Sequence, residues 1–203
     1  SSDVKPAFAG AIRVLERAGA KLKPGWPAGF SIADLDETYR YMVRAFEYSM
    51  VPERDKAAER ARLRASGDPH ARAAFASFAD WQVKNLKRLD FRALWQAYFD
   101  DVDVFLSPAV FTAAFRHDHR EPKAARRIET PEGLRNYWDT LRWIEPATLT
   151  GCPATVAPVG RTASGLPVGI QVMGPYLEDA TPITFAGLLS TELGGFVPPP
   201  GFA

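Results

Sequence analysis

The sequence predicts an α/β fold in which a partial mixed β-sheet is covered by helices. Three observations predict it. Helical patterns outnumber strand patterns along the 203 residues. The strand patterns are apolar runs of the kind buried on both faces of a sheet. There are only three or four of them, too few to build a wide sheet, so part of the sheet is expected from polypeptide outside this chain. No internal repeat and no linker divides the sequence, so residues 1–203 read as a single domain ending in an extended, Pro-rich tail at 194–203.

The elements follow in order. Asp3 reads as an N-cap with Pro6 in the first turn of a helix whose Phe8, Ile12, Leu15 and Ala18 share a face, and Gly19 stops it. Residues 20–22 form a short strand candidate before a Pro/Gly loop. A second helix is expected near Asp34, with Glu37 as capping-box partner and a stripe of Leu35, Tyr39, Met42 and Phe46. Residues 52–66 have helical propensity and almost no apolar face, which reads as a solvated helix or as a surface for an acidic partner. Asp68-Pro69 is expected to open another helix with Phe75, Phe78, Trp81 and Leu86 in the core, and Asp90 to cap a shorter one. Residues 102–106 read as a buried strand ending at Ser107-Pro108, and 114–127 as a charged loop. Thr130-Pro131-Glu132 is expected to open a helix through Leu134, Tyr137, Trp138 and Leu141. The runs 154–159 and 168–173 flank a turn rich in Gly, Ser and Pro and predict a hairpin. Asp179 then caps a last helix bearing Ile183, Ala186, Leu189 and Leu193.

Composition excludes several classes. Lys+Arg 25 against Asp+Glu 24 leaves a net charge of +1, so no global field gathers nucleic acid or an anionic membrane. No apolar run reaches the length of a membrane span. No basic segment leads into an apolar core at the start, so no signal peptide is expected. The single cysteine excludes an internal disulfide and points to a reducing, cytoplasmic setting.

Candidate chemistry is sparse. Cys152 lacks a histidine placed by sequence to act as its base, and reads as a buried structural thiol. His117-Asp118-His119 has metal-ligand spacing, but Arg116 and Arg120 flank it and it reads as a charged loop. Asp100, Asp101 and Asp103 read as element-stopping carboxylates rather than an acid–base pair. No P-loop, Gly-x-Gly-x-x-Gly turn or Gly-x-Ser-x-Gly elbow occurs.

The segment LTGCPATVAPVGRTASGLPVGIQVMGPYLEDA at 149–180 closely resembles the C-terminal region of amidase signature family hydrolases. The match is carried by Leu149, Thr150, Gly151, Pro153, Ala154, Pro158, Val159, Gly160, Gly165, Leu166, Pro167, Val168, Gly169, Gln171, Gly174 and Asp179. DVDVFLSPAVFTAAFRHD and AIRVLERAGAKL upstream are similar to family segments too, so the resemblance spans the chain.

It implies amide hydrolysis by serine acyl transfer in the complete protein, with no metal and no cofactor. The serines of the family's Ser–Ser–Lys triad lie in a Gly/Ser-rich signature that does not occur here; the only Ser-Ser pair is Ser1-Ser2. The seven lysines stand in polar surroundings, so no catalytic residue carries over and the chain alone is expected to be inactive. What carries over is one wall of the substrate pocket: Ala109, Val110, Phe111, Ile144, Thr148 and Cys152, where the family usually has Asn at the position of Thr148. That wall is largely apolar and suits an uncharged small-molecule amide. It holds no arginine to clamp a carboxylate, which argues against the glutamyl-tRNA amidotransferase branch. The rival expectation is a binding domain that kept the fold without the chemistry. The exposed strands predict self-association, most simply a homodimer.

Overall fold

In the computed structural model, residues 1–121, 123–199 and 201–202 are described. In chain order the regular elements are α1 (Lys5–Arg17), α2 (Ile32–Ser49), α3 (Lys56–Ala65), α4 (Phe78–Phe99) and β1 (Phe105–Pro108). Then come β2 (Arg127–Thr130), β3 (Gly133–Asn136), α5 (Glu145–Thr150), β4 (Ala154–Arg161), β5 (Pro167–Met173) and α6 (Ala180–Leu193). They fall into two units, Ser1–Trp26 with Tyr98–Ala203, and Pro27–Ala97.

The first unit is organised by a three-stranded sheet of order β1-β5-β4. Among the described residues every pairing is antiparallel, so the expected mixed sheet is represented here by antiparallel strands only. The predicted hairpin forms as β4 and β5, and β5 lies between two neighbours. Its Val168, Ile170 and Val172 pack with Ala11 and Leu15 of α1 and Ala186 and Leu189 of α6 as the core of the unit. β5 is apolar on successive residues because both of its faces are covered.

α1 matches the sequence at its C-terminus and differs at its start. The Ala20 amide donates to the Leu15 carbonyl and the Gly19 amide to that of Glu16, closing the helix with Gly19 at φ +93. With its N–H used in this way, Ala20 leaves the helix into irregular backbone, and no strand forms at 20–22. The N-cap is Val4, not Asp3, and no side chain caps the helix. Pro6 reduces the need, because it brings no N–H to satisfy.

A larger correction falls at 130–141. Instead of opening a helix, Thr130 ends β2, and Gly133, at φ +118, starts β3. The Thr130 hydroxyl donates to the Gly133 carbonyl at 2.8 Å, closing the turn, and Ile128 gains complete burial. A short 3₁₀ turn, Tyr137–Leu141, follows, and then α5, a helix with no counterpart among the predicted elements. α5 carries Pro146 in its first turn and ends at Gly151 in the left-handed region.

In the second unit α2 begins earlier than expected. Ser31 caps it, accepting from the Asp34 amide at 3.2 Å. Glu37 is not a cap partner; it pairs with Lys84 and Arg72. Residues 52–66 form a short 3₁₀ turn and α3, whose one buried residue is Leu63, so the expected solvated helix is present. Asp68-Pro69 precedes only a 3₁₀ turn, Ala71–Phe75. The next helix starts at a reciprocal box: the Asp80 amide donates to the Ser77 hydroxyl, and the Ser77 amide to the Asp80 carboxylate. α4 then runs unbroken past Asp90, because a single aspartate inside a 22-residue helix costs only a few tenths of a kcal/mol in propensity. Phe91 and Trp95 are its buried residues, with Phe30 edge-on to both rings, whereas Phe78 and Leu86 are exposed. The tail from Gly194 is irregular over 196–199; Pro200 and Ala203 lie outside the described residues.

Candidate functional site

The face of the three-stranded sheet opposite α1 and α6 carries the residues that the sequence points to. On β5 this face belongs to Gly169, Gln171 and Met173, alternating with the core residues Val168, Ile170 and Val172. Gln171 is the organising side chain. Its amide nitrogen donates to the Trp143 carbonyl at 2.9 Å and to the Ser107 hydroxyl at 3.3 Å. It therefore ties β5 to the end of β1 and to the backbone entering α5. Gln171 is 4% and Ser107 1% exposed, so these bonds satisfy groups that water cannot reach.

Beside this node the rings of Trp26 and Trp143 stack 6.1 Å apart, and Trp26 also packs on Phe105. Trp143 immediately precedes Ile144, so the stack holds the start of α5. On the other side of Gln171, Gly169 keeps the face low. A Cβ there would lie 2.9 Å from Val156 and 3.4 Å from the Ala109 methyl. The Ala109 amide donates to the Gly169 carbonyl, extending the β1–β5 ladder by one residue.

The six predicted wall residues divide by their position along β5. Ala109 lies at the level of Gly169, with Val110 and Phe111 beyond it. Ile144 follows the Gln171 node. Cys152 adjoins Pro153, whose carbonyl accepts from Gly174. Five residues of strand separate Gly169 from Gly174, about 16 Å, so the six make a strip rather than a point. Within it, Phe111 and Cys152 are buried and Thr148 is exposed. Phe111 turns its ring under Arg135, whose guanidinium lies 4.8 Å from the ring centre.

Several of the other candidate groups make local contacts. Arg120, through its guanidinium and then its amide, holds the Asp118 carboxyl far below the usual carboxylate range, and Arg127's amide adds to this. His117 and His119 meet edge to face, 5.8 Å between ring centroids. Among the described residues no group of three or more His, Cys, Asp or Glu side chains converges to hold a metal ion. Lys23, Lys56, Lys84 and Lys87 each pair with a carboxylate, the opposite of the desolvated neutral amine a lysine base requires. Asp101 is one of these partners.

The sequence by itself does not mark Ser107, Gln171 or the fully buried Glu145 as site residues. The signal for Gln171 is a polar side chain inside the apolar run 168–173, which needs a buried partner wherever that strand is central.

Comparison with known proteins places the fold. A family profile described as Amidase matches residues 1–182. The chain belongs to the amidase family. Its curated relatives include a subunit of the glutamyl-tRNA(Gln) amidotransferase of Zymomonas mobilis, 35% identical over 106 residues. That alignment covers 52% of this chain and 19% of the relative. A fatty acid amide hydrolase from Medicago truncatula is 32% identical over 124 residues, 60% of this chain and 20% of the relative. Among solved structures, a crystal structure of an amidase superposes with TM-score 0.71 at 21% identity, covering 96% of this chain and 43% of that one. A bacterial aryl acylamidase gives TM-score 0.65 at 16% identity over 95% of this chain and 40% of that one. These likenesses establish the fold, and this amidase-family chain spans less than half the length of the proteins it matches. Subunits of glutamyl-tRNA(Gln) amidotransferases stand among its relatives, so the similarity does not bear out the expectation against that branch. Among the described residues no helix is long and apolar enough to cross a membrane.

Proposed function

We propose that this chain is the C-terminal portion of an amidase that hydrolyses carboxylic amides by serine acyl transfer. In this reading the nucleophile and its lysine base come from polypeptide outside residues 1–203, and backbone N–H groups hold the oxyanion. The chain contributes scaffold and the acyl-side wall of the pocket, formed by Ala109, Val110, Phe111, Ile144, Thr148 and Cys152. The observation that carries the reading is the family match over residues 1–182. The Gln171 node supports the wall, because one buried side chain bonds Ser107 and Trp143, which stand just ahead of the two stretches that would form it.

Sequencing upstream of Ser1 and assaying the encoded protein on amides of graded acyl length tests the proposal. A Gly/Ser-rich signature with an earlier lysine, and turnover lost when its serine is changed, is the expected outcome. In that protein Ile144→Asp should raise KM for an apolar acyl amide by about tenfold or more, the scale of losing one apolar pocket contact. The 203-residue chain alone should show no turnover above a buffer blank. An authentic start near Ser1 together with no hydrolysis would favour the binding-domain reading instead.

A further inference from the structure

Away from the sheet face just described, the first unit holds a cleft of about 520 Å³ between α1, the end of β4 and Leu193 of α6. Three arginines from two elements line it: Arg13 and Arg17, one turn apart on α1, and Arg161 at the end of β4. None of the described residues lining it is acidic. Several arginines elsewhere in the chain pair with carboxylates, among them Arg44, Arg62, Arg120, Arg126 and Arg135. Among the described residues Arg13 and Arg17 form no ion pair, and Arg161 donates only to the Gly165 carbonyl at 2.9 Å. Arg17 in the last turn of α1 also complements the helix C-terminus, which accounts for one cation but not for three meeting at one concavity.

Two glycines shape the cleft. Gly10 sits one turn before Arg13, and a Cβ on it would meet only the Arg13 guanidinium, at 3.9 Å, so a ligand can approach the helix backbone there. Gly160, at φ +148, follows a register shift in which β4 carries an extra residue against β5. That bulge brings the strand within close contact of α1: a Cβ on Gly160 would lie 3.3 Å from the Ala7 methyl. Ala7, Val14 and Val159 complete an apolar floor beside the guanidinia.

We propose that this cleft binds a small organic dianion, a phosphate monoester with an apolar body. The phosphate engages the three guanidinia, which suit it by charge and by their forked donors. The body lies on Ala7, Val14 and Val159. The site is independent of amide chemistry.

Phenyl phosphate titrated into the 203-residue chain, followed by ³¹P line broadening and by thermal melting, tests this, with inorganic phosphate as the head-group probe. Saturable binding that weakens as NaCl rises is expected. Arg13→Gln and Arg161→Gln should each weaken it by about tenfold, the worth of one charged hydrogen bond. Both side chains are exposed, so the melting temperature without ligand should be unchanged. Arg54→Gln, at an exposed arginine paired with Asp55, should leave binding intact. Non-saturable broadening, or equal affinity in the wild type and both cleft variants, overturns the site. Equal affinity for inorganic and phenyl phosphate overturns the apolar subsite.

Discussion

Gln171 shows how one buried amide joins three segments that are far apart in sequence. Replacing it with methionine keeps its length and removes both donated bonds, leaving the Ser107 hydroxyl and the Trp143 carbonyl without this partner. Gln171→Met should cost about 1–3 kcal/mol. Urea denaturation of the two proteins reads this directly, and an unchanged midpoint would remove Gln171 from the role given to it. Two glycines near α6 make a matched pair. A Cβ on Gly174 would lie 2.6 Å from Pro182 Cδ, part of a rigid ring that cannot give way, whereas one on Gly187, inside α6, meets nothing. Gly174→Ala should therefore destabilise by about 1–3 kcal/mol. Gly187→Ala should stabilise by up to about 1 kcal/mol through helix propensity. The opposite order of melting temperatures would contradict the packing of α6 on the end of β5.

At the scale of elements, the second unit joins α2 to the turn before Ala71–Phe75 through Arg44 and Asp68, whose guanidinium and carboxylate meet at 2.7 Å. Burial alone would raise the Asp68 carboxyl; the His70 amide and Arg44 outweigh it and hold it below its ordinary value. Burial also lowers the neighbouring His70 below 6.5, with Asp68 opposing. Both folded-state values are depressed, so the folded unit binds fewer protons than the unfolded one. Each group contributes stability above its unfolded value and loses it as pH falls: His70 from about pH 6.5 downward, Asp68 from about pH 4. Fluorescence-monitored unfolding across this range should show two acid limbs. His70→Gln should flatten the upper one and Asp68→Asn the lower; a His70→Gln profile that keeps the upper limb would assign it to another group.

At the scale of the whole molecule, β1 and β4 each pair on one side only among the described residues, and Val156 is 60% exposed on the candidate site's face. Half-paired strands with apolar residues in water are templates for association. The 203-residue chain should therefore self-associate as its concentration rises, most simply to a two-fold dimer. Light scattering after size exclusion measures this. A monomer at every concentration, melting cooperatively, would show that these edges need no cover and would favour the binding-domain reading.

What the sequence by itself determined lies where local chemistry and burial agree. The 154–173 hairpin, the Gly19 stop of α1 and the solvated α3 follow from two apolar runs around a turn, a glycine's positive φ and the absence of an apolar stripe. It also carried the family, through the motif on 149–180. Tertiary structure alone decided the rest. Thr130-Pro131-Glu132 has helix-opening chemistry, yet burial of Ile128 and the positive φ of Gly133 make it a hairpin. Asp90 has capping chemistry, yet α4 continues because Phe91 and Trp95 pack on one face. The candidate wall belongs to the same class: Ser107 and Trp143, just ahead of residues 109–111 and 144–152, are tied to one another only through Gln171, central in the sheet, whose buried amide must find partners. A propensity worth tenths of a kcal/mol yields to burial worth several, and burial depends on contacts distant in sequence.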